Sequence, residues 1–488
     1  MCDRERGWSA VLEPKVWRVT AFSAVLGLAL AAGVSAVAGP WDSGQRKAER
    51  HRAAAREGTG GADHGRDGRP PSGPRPAPSA PGVLAALGAP GAPPAGLGAA
   101  LAPLLRAPGL GTVRAAAVHD AVTGERLYGV GETVPVTPAS TTKIATSVAA
   151  LAALGPDHRI ATTVAATPDG GRITLVGGGD PTLDEARLTA LADATARAVR
   201  AAAKPGAKPG AGSGAKPGAT SVALTYDTSR YTGTEQHPIG PNNENLAPVT
   251  ALMTNEGRLD DSTSGTADRS QRPAAATART FASLLASRGL PVADPVPGRA
   301  PAAAKTVART HSAPLSALVE RTLTNSDNDI AEALARQTAI ALGEPASFEG
   351  ASRALKAQLT KLGLPLSGAH FADGSGLDRN DKVTARLLAA LLAKAADPAR
   401  PELRSVLTGL PVAGFTGTLS DRYSPTSPGT GLVRAKTGTL RGVNTLAGTA
   451  VLPTGRLVTF AFLTTGTSSA EAAQPALDAL ANRLATTG

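Results

Sequence analysis

The apolar positions after residue 112 follow two different periods. In 113–131, VRAAAVHDAVTGERLYGVG, apolar and polar residues alternate on both sides of Gly124, as in two strands joined by a turn. Pro138 then opens a run with helical period that extends to Leu154 and is followed by Gly155. Proline favours the first turn of a helix, and glycine favours its C-terminal end. The sequence therefore predicts a β-hairpin followed by an α-helix.

The middle and the end of the chain show the same two periods. Two segments repeat apolar residues at helical spacing, and three later runs are strand-like and separated by turns. The helical segments are 315–323 and 329–342, the strand-like runs are 431–438, 444–451 and 456–465, and a final helix is predicted from Ser469. With strands at both ends and helices between them, we expect an α/β chain of the α+β type, with one antiparallel sheet flanked by helices.

The segment 19–41 has no charged residue and follows a basic flank. It is long enough to span a membrane, and Ala36-Val37-Ala38 has the small-residue form of a signal cleavage site. Two interpretations of residues 1–42 therefore stay open, a removed signal peptide and a retained membrane anchor. Both predict an exported protein on the extracellular, cell-wall side, with membrane contact only through 19–41 when the segment is not cleaved.

Composition predicts a linker and argues against a nucleic-acid partner, a cofactor and a metal. Residues 43–82 are rich in glycine and proline and poor in apolar residues, which predicts a disordered linker. The net charge is +11, yet no basic run is interleaved with aromatic residues, so no nucleic-acid partner is expected. Cys2 is the only cysteine, and the seven histidines lack the His-Glu-x-x-His spacing of a zinc site. We expect no cofactor and no metal.

The stretch TPASTTKIATSVAAL places Ser140 and Lys143 at the start of the first predicted helix. Three positions apart on a helix, the hydroxyl and the amine lie on the same face, so the amine could take the hydroxyl proton. Alone, such a pair is more often an ordinary helix start with a solvated lysine.

Two later triplets favour the chemical interpretation. They lie between two predicted helices and on a predicted strand, and their order along the chain matches serine β-lactamases and penicillin-binding proteins. The triplets are Ser326-Asp327-Asn328 and Lys436-Thr437-Gly438.

Longer stretches narrow the likeness to one family. They are GGGDPTL (177–183), YDTSRY (226–231), APVTALM (247–253), SDNDIAEALAR (326–336), DGSGLDRND (373–381), GFTGTLSDR (414–422) and KTGTL (436–440). Because of these stretches, residues 83–488 resemble the S13 peptidases. This is the D-alanyl-D-alanine carboxypeptidase/endopeptidase family of class C low-molecular-mass penicillin-binding proteins. The chain departs from the family at 237–249, HPIGPNNENLAPV, where members commonly have a Gly-Trp pair.

The resemblance implies a β-lactamase/transpeptidase-like domain with an insertion between its first two motifs. The long separation of Ser140 from Ser326 agrees with that arrangement. We therefore predict a catalytic domain formed by 83–156 and 301–488, and inserted domain residues at 157–300.

Acyl transfer and the resemblance together suggest the catalytic roles. Ser140 is expected to attack the carbonyl between two D-alanines, and Lys143 to act as base. Lys143 can do so only when neutral, so its pKa must be lowered by burial and by a neighbouring cation, with Lys436 as the candidate. Ser326 is expected to pass the proton to the leaving amine, and Asn328 to orient the substrate amide and Lys143.

Substrate binding is assigned to the strand motif by the resemblance. Lys436 and Thr437 are expected to bind the terminal carboxylate of the peptide or of a β-lactam, with Gly438 and Thr439 beside them. The backbone N–H groups of Ser140 and Thr439 are expected to form the oxyanion hole.

Three further residues are interpreted as turn residues. Asp373 and Ser375 lie in DGSGL, which lacks the Gly-x-Ser-x-Gly form of a nucleophile elbow. Asp327, in the middle triplet, is also assigned to turn chemistry.

The favoured function is a serine-type D-Ala-D-Ala carboxypeptidase/endopeptidase that hydrolyses peptidoglycan stem peptides and is acylated by penicillin. A serine β-lactamase is the nearest alternative, since it uses the same motifs but adds a group that activates water for deacylation. A catalytically weak protein that binds penicillin or the cell wall is the alternative from another class. Turnover separates these three.

Overall fold

A computed structural model describes residues 96–202, 222–241 and 243–487. The predictions for 1–42 and 43–82 lie outside these residues. Within the described part of the chain, no helix is both long and apolar enough to cross a membrane.

The described residues form ten helices of four or more residues and ten strands. The helices are α1 Leu97–Leu101, α2 Thr142–Leu154, α3 Glu185–Ala202, α4 Pro273–Ser287, α5 Leu315–Asn325, α6 Asn328–Ala341, α7 Phe348–Lys361, α8 Ala385–Ala396, α9 Ser405–Thr408 and α10 Ala470–Leu484. The strands are β1 Val113–Asp120, β2 Arg126–Val130, β3 Ala161–Ala166, β4 Arg172–Val176, β5 Ala223–Asp227, β6 Val296–Pro297, β7 Lys305–His311, β8 Val433–Leu440, β9 Val443–Val451 and β10 Leu457–Thr465.

The first sheet has the order β2-β1-β10-β9-β8, and every pair in it is antiparallel. Alternate residues of its strands face opposite sides, as the pleat requires. Ala461 packs in the core formed with α2, α6 and α8, whereas Phe460 and Phe462 pack against α10. The predicted antiparallel sheet flanked by helices is confirmed, and the predicted hairpin, helices and three final strands all form.

Side-chain caps fix where several helices begin. Asp327, Ser347, Thr384 and Ser469 each accept a hydrogen bond from a backbone N–H in the first turn of the following helix. Each such cap contributes about 1 kcal/mol. The predicted start of the last helix at Ser469 agrees with this cap.

The second sheet, β6-β5-β4-β3-β7, lies between the first two motifs in sequence. It is mixed, because β4 and β5 are parallel and are joined through α3, while β3 pairs antiparallel with β4 and β7. Its core includes Leu175, Leu188 and Phe281 from the sheet and from α3 and α4. β7 pairs with β3, although β7 lies beyond residue 300, the predicted end of the insertion. The second sheet therefore extends past that predicted boundary.

Candidate active site

Ser140 lies in a short 3-10 turn, Ala139–Thr141, that leads into α2. The backbone of Ala139 has φ 50°, a left-handed conformation that is strained for a residue with a side chain. Two glycines pack against this turn: a Cβ on Gly376 would collide with the carbonyl oxygen of Ala139, and a Cβ on Gly438 would lie 2.7 Å from that of Pro138. Close backbone packing therefore holds the turn that presents Ser140.

Lys143 lies one turn further on, and its side chain is fully buried. Its Nζ is 3.0 Å from Ser140 Oγ, 2.7 Å from Asn328 Oδ1 and 2.6 Å from the carbonyl oxygen of Ser375. Asn328 Nδ2 donates to the carbonyl oxygen of Asn245 at 3.0 Å, which fixes the orientation of the Asn328 amide.

These contacts determine where the lone pair of a neutral Lys143 points. The oxygens of Asn328 and Ser375 can only accept, so they take the two N–H groups of the neutral amine. The lone pair is left facing the hydroxyl of Ser140. The arrangement can therefore pass the Ser140 proton to Lys143.

Burial lowers the pKa of Lys143 to about 8, and the charges of Asp373, Glu332, Asp327 and Asp381 oppose that change. Burial and then the like charge of Lys143 also lower the pKa of Lys436 well below its usual value. We expected burial and a neighbouring cation, Lys436, to lower the pKa of Lys143. Burial is the largest cause at Lys143, and the repulsion between the two ammonium groups is seen at Lys436.

The middle triplet lies where α5 ends and α6 begins. Ser326 has φ 59° and follows the last residue of α5, while Asp327 caps α6 through a bond from the Ile330 N–H at 3.0 Å. The cap agrees with the assignment of Asp327 to turn chemistry. The left-handed turn places Ser326 beside Asn328 in the cleft described next.

One cleft of about 200 Å³ contains the reactive groups. Ser140, Ser326, Asn328 and Thr439 line it together. The opposite wall comes from the inserted region and includes Asn245, Arg258, Ser264, Gly265, Thr266 and Arg269. Three of the four catalytic residues expected from the sequence thus share one cleft, with Lys143 buried behind Ser140.

The strand motif forms the side of the site next to α2. Lys436 is fully buried, and its Nζ donates to the carbonyl oxygen of Thr437 at 2.7 Å. Thr437 Oγ1 donates to Thr418 Oγ1 at 2.8 Å. Thr439 is exposed to the cleft, while Gly438 packs against the 3-10 turn.

A buried ionic network joins the wall from the inserted region to the middle triplet. Arg269 Nη2 pairs with Asp329 Oδ2 at 3.1 Å, and Arg258 Nε pairs with Glu256 Oε2 at 2.9 Å. Arg321 contacts both Glu256 and Asp327. Burial and the charge of Asp327 raise the pKa of Glu256 to about 7. The acids of this network that could surround a metal already have guanidinium or backbone N–H partners.

Comparison with known proteins identifies the family. Residues 97–267 and 256–487 match the D-Ala-D-Ala carboxypeptidase 3 (S13) family. The chain belongs to the S13 peptidases. This S13 peptidase is 35% identical over 425 residues to a carboxypeptidase of Mycobacterium tuberculosis, covering 84% of this chain and 89% of that protein. It is 30% identical over 466 residues to the D-alanyl-D-alanine carboxypeptidase of Actinomadura sp., covering 78% of this chain and 83% of that protein.

The fold of this S13 peptidase is similar to the crystal structure of penicillin binding protein 4 from Haemophilus influenzae. The TM-score is 0.63 at 21% identity, over 80% of this chain and 98% of that one. The predicted β-lactamase/transpeptidase-like architecture is confirmed by this likeness.

Several residues behind the site of this S13 peptidase were not predicted to be functional. His237, Glu332 and Asp373 are buried together, and Asn245 contacts Asn328 through its backbone. Asp373 and Ser375 form a turn, as predicted, but the carbonyl oxygen of Ser375 also contacts Lys143. The departure from the family at 237–249 is a sequence signal that includes both His237 and Asn245.

Proposed function

We propose that this S13 peptidase is a serine-type D-Ala-D-Ala carboxypeptidase/endopeptidase that hydrolyses peptidoglycan stem peptides through an acyl-enzyme on Ser140. The observation that supports this best is the contact set of Lys143, which directs its lone pair to Ser140 Oγ. The names of the S13 relatives in Mycobacterium tuberculosis and Actinomadura sp. agree with the reaction.

The proposed first half-reaction uses these groups in the following order. Ser140 Oγ attacks the carbonyl carbon between the two D-alanines while Lys143 takes the hydroxyl proton. The carbonyl oxygen becomes an oxyanion, which the backbone N–H groups of Ser140 and Thr439 stabilise. As the C–N bond breaks, the proton passes through Ser326 to the leaving amine. D-Alanine leaves from a carboxypeptidase substrate, and the amino-bearing strand leaves from a cross-link.

Water completes the cycle. It attacks the acyl carbon, and Lys143 takes its proton and returns one to Ser140 Oγ as the ester C–O bond breaks. Lys436 lies next to Thr437 on this strand. When protonated it attracts the terminal carboxylate of the substrate, or the carboxylate of a β-lactam, and the bound carboxylate in turn raises the lowered pKa of Lys436.

The inserted region is best described as a second domain that completes the cleft. We assign the catalytic domain to 83–156 and to the chain after β7, and the insertion to the residues from 157 to the end of β7. Export, with residues 19–41 as a signal or an anchor, places the enzyme on the side of the membrane where peptidoglycan lies.

The cleft gives a reason to prefer the peptidase over a β-lactamase. A β-lactamase needs a group that activates water for fast deacylation. Among the described residues that line the cleft, Asp327 is the carboxylate. Its Oδ1 caps α6 by accepting from the Ile330 N–H, and its Oδ2 lies 3.5 Å from the cation of Arg321, which favours a structural role. We therefore expect slow deacylation after β-lactam binding.

The test is covalent labelling of the full chain by a fluorescent penicillin, followed by D-alanine release from a stem pentapeptide. Wild type is expected to keep the label for many minutes and to release D-alanine, and Ser140→Ala to do neither. A folded wild type that takes no label would refute the acyl-enzyme, and label lost within seconds would indicate a β-lactamase. Persistent label without D-alanine release would favour a penicillin-binding protein with little turnover.

A further inference from the structure

His237 is a buried histidine from the inserted region that reaches the back of the catalytic site. Its side chain is 1% exposed, and Nε2 lies 3.0 Å from Asp373 Oδ2 and 3.7 Å from Glu332 Oε1. The ring of Phe348 packs edge-on against it at 5.3 Å between centroids. The imidazole therefore joins a carboxylate of α6 to a carboxylate of the 373–378 loop.

The two carboxylates hold that loop in place. Asp373 accepts hydrogen bonds from the backbone N–H groups of Gly376 at 2.6 Å and Asp378 at 2.8 Å. Glu332 Oε1 accepts from the N–H groups of Gly374 at 3.0 Å and Ser375 at 2.9 Å. The backbone of the loop is thus fastened to acids that His237 contacts directly.

The other side of the loop touches the catalytic helix. The carbonyl oxygen of Ser375 accepts from Lys143 Nζ at 2.6 Å, and that of Gly374 accepts from Thr146 Oγ1 at 2.7 Å. A displacement of the loop would remove one of the two acceptors that orient the Lys143 amine. His237 lies two contacts away from that acceptor.

The same acids act on Lys143 through their charge. Asp373 and Glu332 are the two carboxylates that raise the pKa of Lys143 most, against the effect of burial. A cation between them offsets their field at Lys143. Burial lowers the pKa of His237, but hydrogen bonds and charge from Asp373 and Glu332 outweigh it and raise the pKa to about 9.

One contact favours the neutral ring. The Ile239 N–H lies 3.2 Å from His237 Nδ1, which can accept this bond only when unprotonated. The two buried carboxylates next to Nε2 favour the cation instead, and at the pKa of His237 their effect outweighs that of burial.

We propose that His237 is a positioning residue for acyl transfer, which holds the 373–378 loop against Lys143 through Asp373 and Glu332 and offsets the charge of these acids so that Lys143 can act as base. This inference rests on the proposed function. It gives the inserted region a direct part in the chemistry of the catalytic domain.

Other charged groups face the same residues, and a substitution at His237 does not alter their side chains. Arg336 on α6 lies over the Phe348 ring at 3.9 Å. Asp327 and Asp381 act on Lys143 from the turn before α6 and from the segment before α8, and Lys436 on β8 interacts with the charge of Lys143. A shift in the titration of Lys143 on changing His237 therefore reports the charge of His237 against a constant background.

The experiment measures acylation of the full chain by a fluorescent penicillin between pH 5.5 and 10. His237→Gln keeps an N–H donor for Asp373 and removes the charge. We expect its acid limb to move up by about one pH unit, with acylation at pH 7 about tenfold slower and full recovery near pH 10. His119→Gln is the matched control, because His119 is also buried but lies on β1, and its profile should match wild type.

The outcomes separate this inference from the proposed function. A His237→Gln profile that keeps the wild-type limb, or that falls equally at every pH, overturns the role of the charge. A wild type that takes no label refutes the proposed acyl-enzyme instead.

A second measurement tests the inference even when His237→Gln does not fold. In ¹⁵N-labelled wild type, both imidazole nitrogens of His237 should be protonated at pH 7, with the signal assigned by replacing the other histidines singly. A neutral His237 at pH 7 overturns the inference.

Discussion

In the proposed reaction, the proton on Lys143 decides whether Ser140 can react. Burial lowers the pKa of Lys143 to about 8, so most of this lysine is still charged at pH 7, and the neutral fraction rises about tenfold per pH unit below 8. The acylation rate should therefore rise with pH and level off above about 8. The check is the rate of penicillin acylation against pH, with a stability measurement at each pH.

The pH at which the rate levels off is a direct test of the base. If Ser140 were activated by a carboxylate, the rate would level off near pH 5, since an acid becomes a base once it ionises. A plateau that already begins at pH 6 would contradict the assignment of Lys143. Lys143→Arg, which cannot lose its proton at any of these pH values, should acylate 10²–10⁴-fold more slowly, roughly the contribution of a general base.

The residues of the motifs could be identified from the sequence, and those behind them could not. Ser140 and Lys143 lie on one helical turn, so their spacing in the sequence already predicts that their side chains lie close together. His237, Glu332 and Asp373 come from three distant parts of the chain and meet only in the fold. No pattern within a short stretch of sequence predicts that these three side chains lie together.

At the scale of elements, the contact of β8 with the 3-10 turn of Ser140 requires a glycine. A Cβ on Gly438 would lie 2.7 Å from the carbonyl oxygen of Pro138 and nearer still to Thr445 Oγ1. Gly438→Ala should therefore push β8 and the turn apart. Misplacement by about 1 Å can slow a reaction 10²-fold, so we expect acylation to fall by about that factor, measured with fluorescent penicillin.

Gly98→Ala provides the control for this substitution. Gly98 is in α1, where a Cβ would meet Tyr128 at an ordinary 3.6 Å. Alanine in a helix is favoured over glycine by up to about 1 kcal/mol, so this variant should keep full acylation and equal or higher stability. Equal acylation by Gly438→Ala and wild type would show that the contact does not position Ser140.

Elements with a strong local period could be predicted, and the second sheet could not. The strands β8 to β10 alternate or run apolar between clear turns, and they follow one another in the sheet. In the second sheet, β4 pairs in parallel with β5 across α3, and β3 pairs with β7 across most of the insertion. The segment that becomes β7, KTVARTH, has weak alternation, so its pairing depends on the tertiary structure.

At the scale of the molecule, the inserted region is fastened to the catalytic region by buried charges. Asp329, the residue after the middle triplet, accepts from Arg269 and from the Ala247 N–H, both in the insertion. Burial raises the pKa of Asp329 well above its usual value, and Arg269 opposes this. The pair therefore connects the wall of the cleft to the helix that carries Asn328.

Removing only one member of this ion pair should lower the stability of the fold. Arg269→Met leaves Asp329 buried without its cation, and such a loss costs about 3–5 kcal/mol. We expect the free energy of unfolding in urea to fall by about that amount at pH 8. At pH 5 the loss should be smaller, because a raised pKa lets the abandoned carboxylate take up a proton and become neutral.

The double variant Arg269→Met/Asp329→Asn decides between charge and packing. Asparagine keeps an acceptor for the Ala247 N–H but carries no charge, so the double variant should be more stable than Arg269→Met alone at pH 8 and should lose the difference between pH 5 and pH 8. If the single and double variants are equally unstable at both pH values, the Arg269 side chain acts by filling space. The insertion would then be held to the catalytic region by packing, with no electrostatic link to the motif that lines the cleft.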